Sequence, residues 1–156
     1  MRTAFFVDGY NLFYGLLADT PYKWLDLRSL LTHIAHKIDI WKLEEKETDV
    51  HIAISMYRTA AKQAKLKHHE RVEQLVLVSS DTDMTPVLRA VREDFPEIIV
   101  GVILPHRAEL NRPSPGSLKK HAHWMRRVVT CDELQSHQFP NRVPTHKAPA
   151  IKPDYW

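Results

Sequence analysis

Two apolar runs that each end in carboxylates limit the folds open to this chain. Phe5-Phe6-Val7-Asp8 leads into Gly9-Tyr10-Asn11-Leu12, and Val76-Leu77-Val78-Ser79-Ser80 leads into Asp81-Thr82-Asp83. Short apolar runs without polar alternation, rich in β-branched and aromatic residues, read as strands buried on both faces, which belong in a parallel sheet. An open parallel sheet binds its ligands outside the carboxyl ends of its strands, where both runs carry their acids. Several carboxylates converging there would hold a hard divalent cation, Mg2+ or Mn2+, against a phosphate.

The rest of the chain alternates strand and helix patterns, as a sheet covered on both faces requires. A first strand, Thr3 to Val7, enters a turn at Asp8-Gly9, and a helix begins within Asn11 to Leu17. Asp26 caps a helix running to Asp39, with Leu27, Leu30, Leu31, Ile34, Ala35 and Ile38 at helical spacing. The polar stretch Trp41 to Thr48 reads as a loop, and Asp49 opens a helix to Lys65 with Val50, Ala53, Ile54, Tyr57, Ala60, Ala61 and Ala64 on one face. A strand follows at Leu75 to Ser79, then a helix from Pro86 to Phe95 capped by Thr85, and a strand at Ile98 to Leu104. A proline-rich loop covers Pro105 to Gly116, with a short helix at Ser117 to Trp124 and a last strand at Arg127 to Thr130. Residues 1–133 form the domain and 134–156 a flexible tail rich in proline, histidine and lysine.

Asp8, Asp49, Asp81 and Asp83 are the candidate catalytic residues, the first three as metal ligands. Asn11 would orient a carboxylate or meet the scissile phosphate, and Ser80 offers a hydroxyl at the same strand end. Each acid also has an ordinary structural explanation: Asp8-Gly9 as a turn, Asp49 as a helix cap, Asp81 and Asp83 as a solvated capping loop. Caps alone, however, do not require acids at the ends of strands of one sheet.

Three ordered blocks, Phe6-Val7-Asp8-Gly9-Tyr10-Asn11-Leu12, Lys46-Glu47-Thr48-Asp49-Val50-His51-Ile52-Ala53 and Leu77-Val78-Ser79-Ser80-Asp81-Thr82-Asp83-Met84, together resemble the NYN domain of the LabA and DUF88 type, within the PIN-like nuclease superfamily. The resemblance spans about residues 3 to 130. It implies a Rossmann-like three-layer α/β/α domain with a mainly parallel sheet, and a metal-dependent endoribonuclease that hydrolyses RNA through water activated by Mg2+ or Mn2+. By position, Asp8, Asp49 and Asp81 would be the acidic core, with Asp83 and Asn11 supporting and Tyr10, Ser80 and Lys46 on the substrate side.

Two departures qualify that expectation. Where many relatives have a further aspartate six residues after the Asp49 position, this chain has Ser55. The run Ile38-Asp39-Ile40-Trp41-Lys42 also leaves no room for a strand, helix and second strand, so the fold reads as shortened by an internal segment near residues 39–42. The exposed sheet edge would then be covered by a homodimer partner or would cost stability. Both departures favour the alternative of a catalytically weak RNA-binding or regulatory module.

Net charge is +3, which permits a polyanionic partner, and two basic clusters, Lys62 to Arg71 and Lys119 to Arg127, could follow an RNA backbone with Tyr10 or Trp124 stacking on a base. Solvated surface charge explains the clusters equally. His33, His36, His121 and His123 lack the motifs of a zinc site, Cys131 reads as a small residue on the last strand, and no G-x-S-x-G elbow occurs. Only four glycines are present and no phosphate-cradling glycine loop, which disfavours a nucleotide-binding enzyme. A single cysteine and no run of ~20 apolar residues lead to the expectation of a cytoplasmic protein without a membrane partner.

Overall fold

The computed structural model describes residues 1–46, 48–110 and 112–156, apart from the side chains of Lys46 and His68. β1 (Arg2–Asp8) lies between β2 (Asp39–Lys46) and β3 (Gln74–Val78), and β4 (Ile99–Ile103) and β5 (Trp124–Arg126) continue the sheet beyond β3. Every pairing in this five-stranded sheet is parallel. The order β2-β1-β3-β4-β5 changes direction between β1 and β3, and in doubly wound sheets the ligand crevice opens at that switch point.

Alternating side chains divide the core in two. Phe6, Leu77 and Val102 turn to the face covered by α3 (Asp49–Gln63), α4 (Thr85–Asp94) and α5 (Gly116–His121), where they meet Met56, Leu88 and Leu118. Phe5, Val7 and Val78 turn to the opposite face, covered by α1 (Gly9–Leu12) with the π-helical turn Phe13–Leu17, by α2 (Leu27–Ala35) and by α6 (Cys131–Ser136). Burial on both faces explains why these strands are apolar at every position. The result is the expected three-layer α/β/α architecture. No described helix is long and apolar enough to cross a membrane.

The stretch expected to be a loop and a truncated edge is instead β2. Thr3 pairs with Ile40 and Ala4 with Lys42, so Trp41 is the extra residue of a bulge, and residues 39–42 lie inside the strand. Among the described residues β2 pairs only with β1, and an edge strand tolerates the charges of Lys42, Glu44 and Glu45, which hid it among polar residues. β2 is itself the open edge of the sheet on this side. α2 stops at Ala35, four residues early, because His36 and Lys37 adopt positive φ (41° and 49°) and turn the chain back into β2.

Three further expectations are corrected. The buried stripe of α3 is Ile52, Met56, Thr59, Ala60 and Gln63, whereas Val50 and Ile54 face outward. Gln63 is buried because its Oε1 accepts the Val72 amide at 2.9 Å, a partner that periodicity does not reveal. The last strand of the parallel sheet is Trp124–Arg126, and Cys131 starts α6 behind a capping box formed by Thr130 and Glu133. Residues 134–156 contain the end of α6 and the short antiparallel pair β6 (Arg142–Val143) and β7 (Ala150–Ile151). Trp24 donates from Nε1 to the Pro140 carbonyl at 2.8 Å and packs against Phe139 and Trp156.

Candidate active site

Val7 pairs with Val78, so Asp8 and Ser79 leave β1 and β3 side by side at the switch point. Asp8 is 3% exposed and caps α1, its Oδ1 accepting the Asn11 amide at 2.9 Å. Its Oδ2 accepts from Asn11 Nδ2 at 2.5 Å and from Ser79 Oγ at 2.9 Å. Ser79 Oγ in turn accepts the Asp81 amide at 3.0 Å, and Ser80 Oγ donates to Asn11 Oδ1 at 2.5 Å. Both strand ends are thus tied into one polar network. A buried carboxylate held by three donors is oriented as well as stabilised.

Asp81 caps a 3-10 turn over Thr82–Met84 by accepting the Asp83 amide at 2.9 Å, which leaves Asp83 exposed at the rim. Asp49 is the first residue of α3 and lies across the crevice, half-buried. Burial, then the charges of Asp81, Asp8 and Asp83, push its carboxyl pKa above the ordinary value. The four expected acids therefore share one electrostatic field, and hydrogen bonds link Asp8 to the Ser79–Asp81 turn and Asp81 to the Asp83 amide.

Among the described residues, no three histidine, cysteine, aspartate or glutamate side chains stand close enough to hold one ion between them. Mg2+ does not need such a cage: it retains several waters and is commonly held by one or two carboxylates together with a substrate phosphate. The oxygen-only donor set and the accumulated negative charge fit a hydrated hard cation held by one or two of these carboxylates, whereas the expected set of Asp8, Asp49 and Asp81 is not brought together around one point.

Ser55 was expected to leave a gap in the acidic set. Its Oγ instead donates to the Glu44 carboxylate at 2.8 Å, so β2 brings a carboxylate to the place where the helix has none. Lys42 forms an ion pair with the same Glu44. Tyr10 is 60% exposed at the crevice mouth, its ring parallel to that of Tyr14 with centroids 6.3 Å apart. The backbone of Lys46 stands opposite Asp8, but its side chain, like all of Glu47, lies outside the described residues.

In the second basic cluster Arg126 and His123 serve the structure, as does the neighbouring Trp124, while Lys119, Lys120 and Arg127 are exposed. Trp124 lies over Gly101 and donates to Gln74 Oε1 at 2.9 Å, Arg126 pairs with Glu133 at 2.6 Å, and His123 Nδ1 accepts the Val100 amide at 2.9 Å. Sequence reasoning overlooked His51 and Arg58, which join Lys62 and Lys42 in a groove between β2 and α3. The signal was available: positions 51, 55, 58 and 62 are spaced as one stripe of a helix.

No family model matches the chain. The chain is 25% identical to the 6-hydroxy-3-succinoylpyridine 3-monooxygenase HspA of Pseudomonas putida over 245 aligned residues, covering 100% of this chain and 75% of that protein. The aligned length exceeds the 156 residues of this chain, so the Pseudomonas protein carries segments within the matched span that have no counterpart here. A solved structure of a protein of unknown function from Vibrio parahaemolyticus is similar at a TM-score of 0.47 and 14% identity, over 85% of this chain and 94% of that one.

Proposed function

We propose that this chain is a metal-dependent endoribonuclease of the NYN type, acting on single-stranded or structured RNA in the cytoplasm. The observation that carries the reading is the meeting of Asp8 and the Ser79–Asp81 turn at the β1/β3 switch point, with Asp49 and Asp83 in the same field. A divalent cation bound there would polarise the phosphoryl oxygen and lower the pKa of a coordinated water. Asn11 and Ser79 hold Asp8 in position, and Asp83 at the open rim would accept the proton of the attacking water. Exposed Tyr10 would stack on a base next to the scissile bond.

Asp8→Asn and Asp81→Asn should each abolish Mg2+- or Mn2+-dependent cleavage of a labelled RNA while leaving the far-UV circular dichroism spectrum unchanged. Full cleavage by both variants would overturn the mechanism. RNA binding without turnover at saturating metal would instead identify a regulatory module with the same crevice.

The match of this chain to 75% of a protein named as a monooxygenase favours a second reading, in which the crevice takes a hydroxylated pyridine. Incubation with 6-hydroxy-3-succinoylpyridine, a reduced nicotinamide and air separates the two readings. Hydroxylated product without RNA cleavage would move the assignment to oxygenation.

A further inference from the structure

The groove between β2 and α3 has a cavity volume of about 360 Å³ and is lined by Lys42, His51, Arg58 and Lys62, with Ser55 and Ile54 between them. Three of these basic residues project from one helix face at positions 51, 58 and 62, so at about 1.5 Å rise per residue the stripe runs roughly 16 Å along α3. It begins half a turn beyond Asp49, the acid at the start of the same helix. Glu44, the acid in the groove, is held by Lys42 and by the Ser55 hydroxyl. No ion pair of Arg58 or Lys62 occurs among the described residues, and both are exposed.

We propose that this groove is a backbone track for a single RNA strand, which carries the chain away from the carboxylate crevice over the outer face of α3. The inference rests on the nuclease reading for its substrate class but not on cleavage. A stripe of this length exceeds what one phosphate or a mononucleotide can span, whereas consecutive phosphates of a strand match separate basic side chains along it. Its direction joins the track to the crevice. An oligonucleotide crossing Asp8 and Asp81 would continue past His51 to Arg58 and Lys62, with Ile54, 45% exposed, as an apolar floor for ribose or base. The charged contacts position the strand without reading its sequence, so binding here is expected to be independent of sequence and sensitive to salt.

The test is fluorescence anisotropy with a labelled single-stranded oligoribonucleotide in excess EDTA, which removes cleavage from the measurement. The double variant Arg58→Gln and Lys62→Gln should raise Kd several-fold. It should also flatten the dependence of log K on log salt by about 0.7 for each lost phosphate contact. The control Lys119→Gln with Lys120→Gln on α5 should keep both the wild-type Kd and slope. An unchanged slope in the groove variant, an equal loss in the α5 control, or no binding by the wild-type chain would each overturn the track. Loss of cleavage in Asp8→Asn with the slope effect retained would uphold both readings, and wild-type cleavage with an unchanged groove slope would reject the track alone.

Discussion

Ser79 Oγ donates to Asp8 Oδ2 at 2.9 Å across the β1/β3 pair, and both residues are buried. The same hydroxyl oxygen accepts the Asp81 amide, so one serine orients the acid of the first strand and shapes the turn carrying the acid of the third. Ser79→Ala should cost about 1.5–3 kcal/mol, the range for a hydrogen bond to a charged group, as read by urea denaturation. A loss well under that range would mean that Asn11 alone holds Asp8.

Divalent metal should stabilise the native state. At a free Mg2+ or Mn2+ concentration roughly a hundred times Kd, binding adds about 2.7 kcal/mol to unfolding, visible as a rise in Tm that EDTA reverses. Asp8→Asn and Asp49→Asn should each lose that response. Calorimetric scans with and without metal provide the comparison.

Tyr10 should matter for RNA and not for folding. With its ring 60% exposed beside the crevice, Tyr10→Ala should weaken oligoribonucleotide binding by about 1–3 kcal/mol, the range for one stacked base, with Tm unchanged. Anisotropy in EDTA measures it directly.

Gly15 is required for a different reason. It lies in the π-helical turn Phe13–Leu17, and a Cβ there would stand 1.9 Å from the Pro105 carbonyl oxygen, which belongs to backbone and cannot rotate away. Gly15→Ala should lower stability by about 1–3 kcal/mol. Gly9→Ala, whose added Cβ meets only the movable end of Glu45, should be much milder.

Acidification should destabilise the protein through two histidines. Burial and then Arg112 lower the pKa of His106 below 6.5, and burial and then Arg92 do the same for His123. The unfolded chain therefore takes up these protons first, so stability is whole above about pH 6.5 and falls as the pH drops through that value. Asp49 acts in the opposite sense lower down: its raised pKa makes ionisation above about pH 3.8 cost stability. Urea midpoints above and below pH 6.5 should differ, and His106→Gln should reduce the difference.

The strands that carry the acids were legible because they lie in the middle of the sheet. Burial on both faces forces Phe5-Phe6-Val7 and Val76-Leu77-Val78 to be apolar at every position, a pattern few other elements produce. β2 was not legible for the converse reason: as an edge strand it can alternate Ile40 and Leu43 with Lys42 and Glu44 and still pair along its length with β1. The buried face of α3 was misassigned because Thr59 is satisfied by the Ser55 carbonyl one turn back and Gln63 by the Val72 amide beyond the helix, so their polarity carries no sign of exposure.

By itself, the sequence determined the strand ends that carry Asp8 and Asp81, since local apolar runs and turn residues suffice to place them. It also determined the α/β class, which follows from alternating periodicities. Tertiary structure alone decided that Ser79 would bridge the two strand ends, that Glu44 would come to Ser55 from a neighbouring strand, and that Lys42 would face the helical stripe of His51, Arg58 and Lys62 across one groove. Each of these depends on strand order and register, and parallel pairing brings together residues whose separation along the chain is set by intervening crossovers.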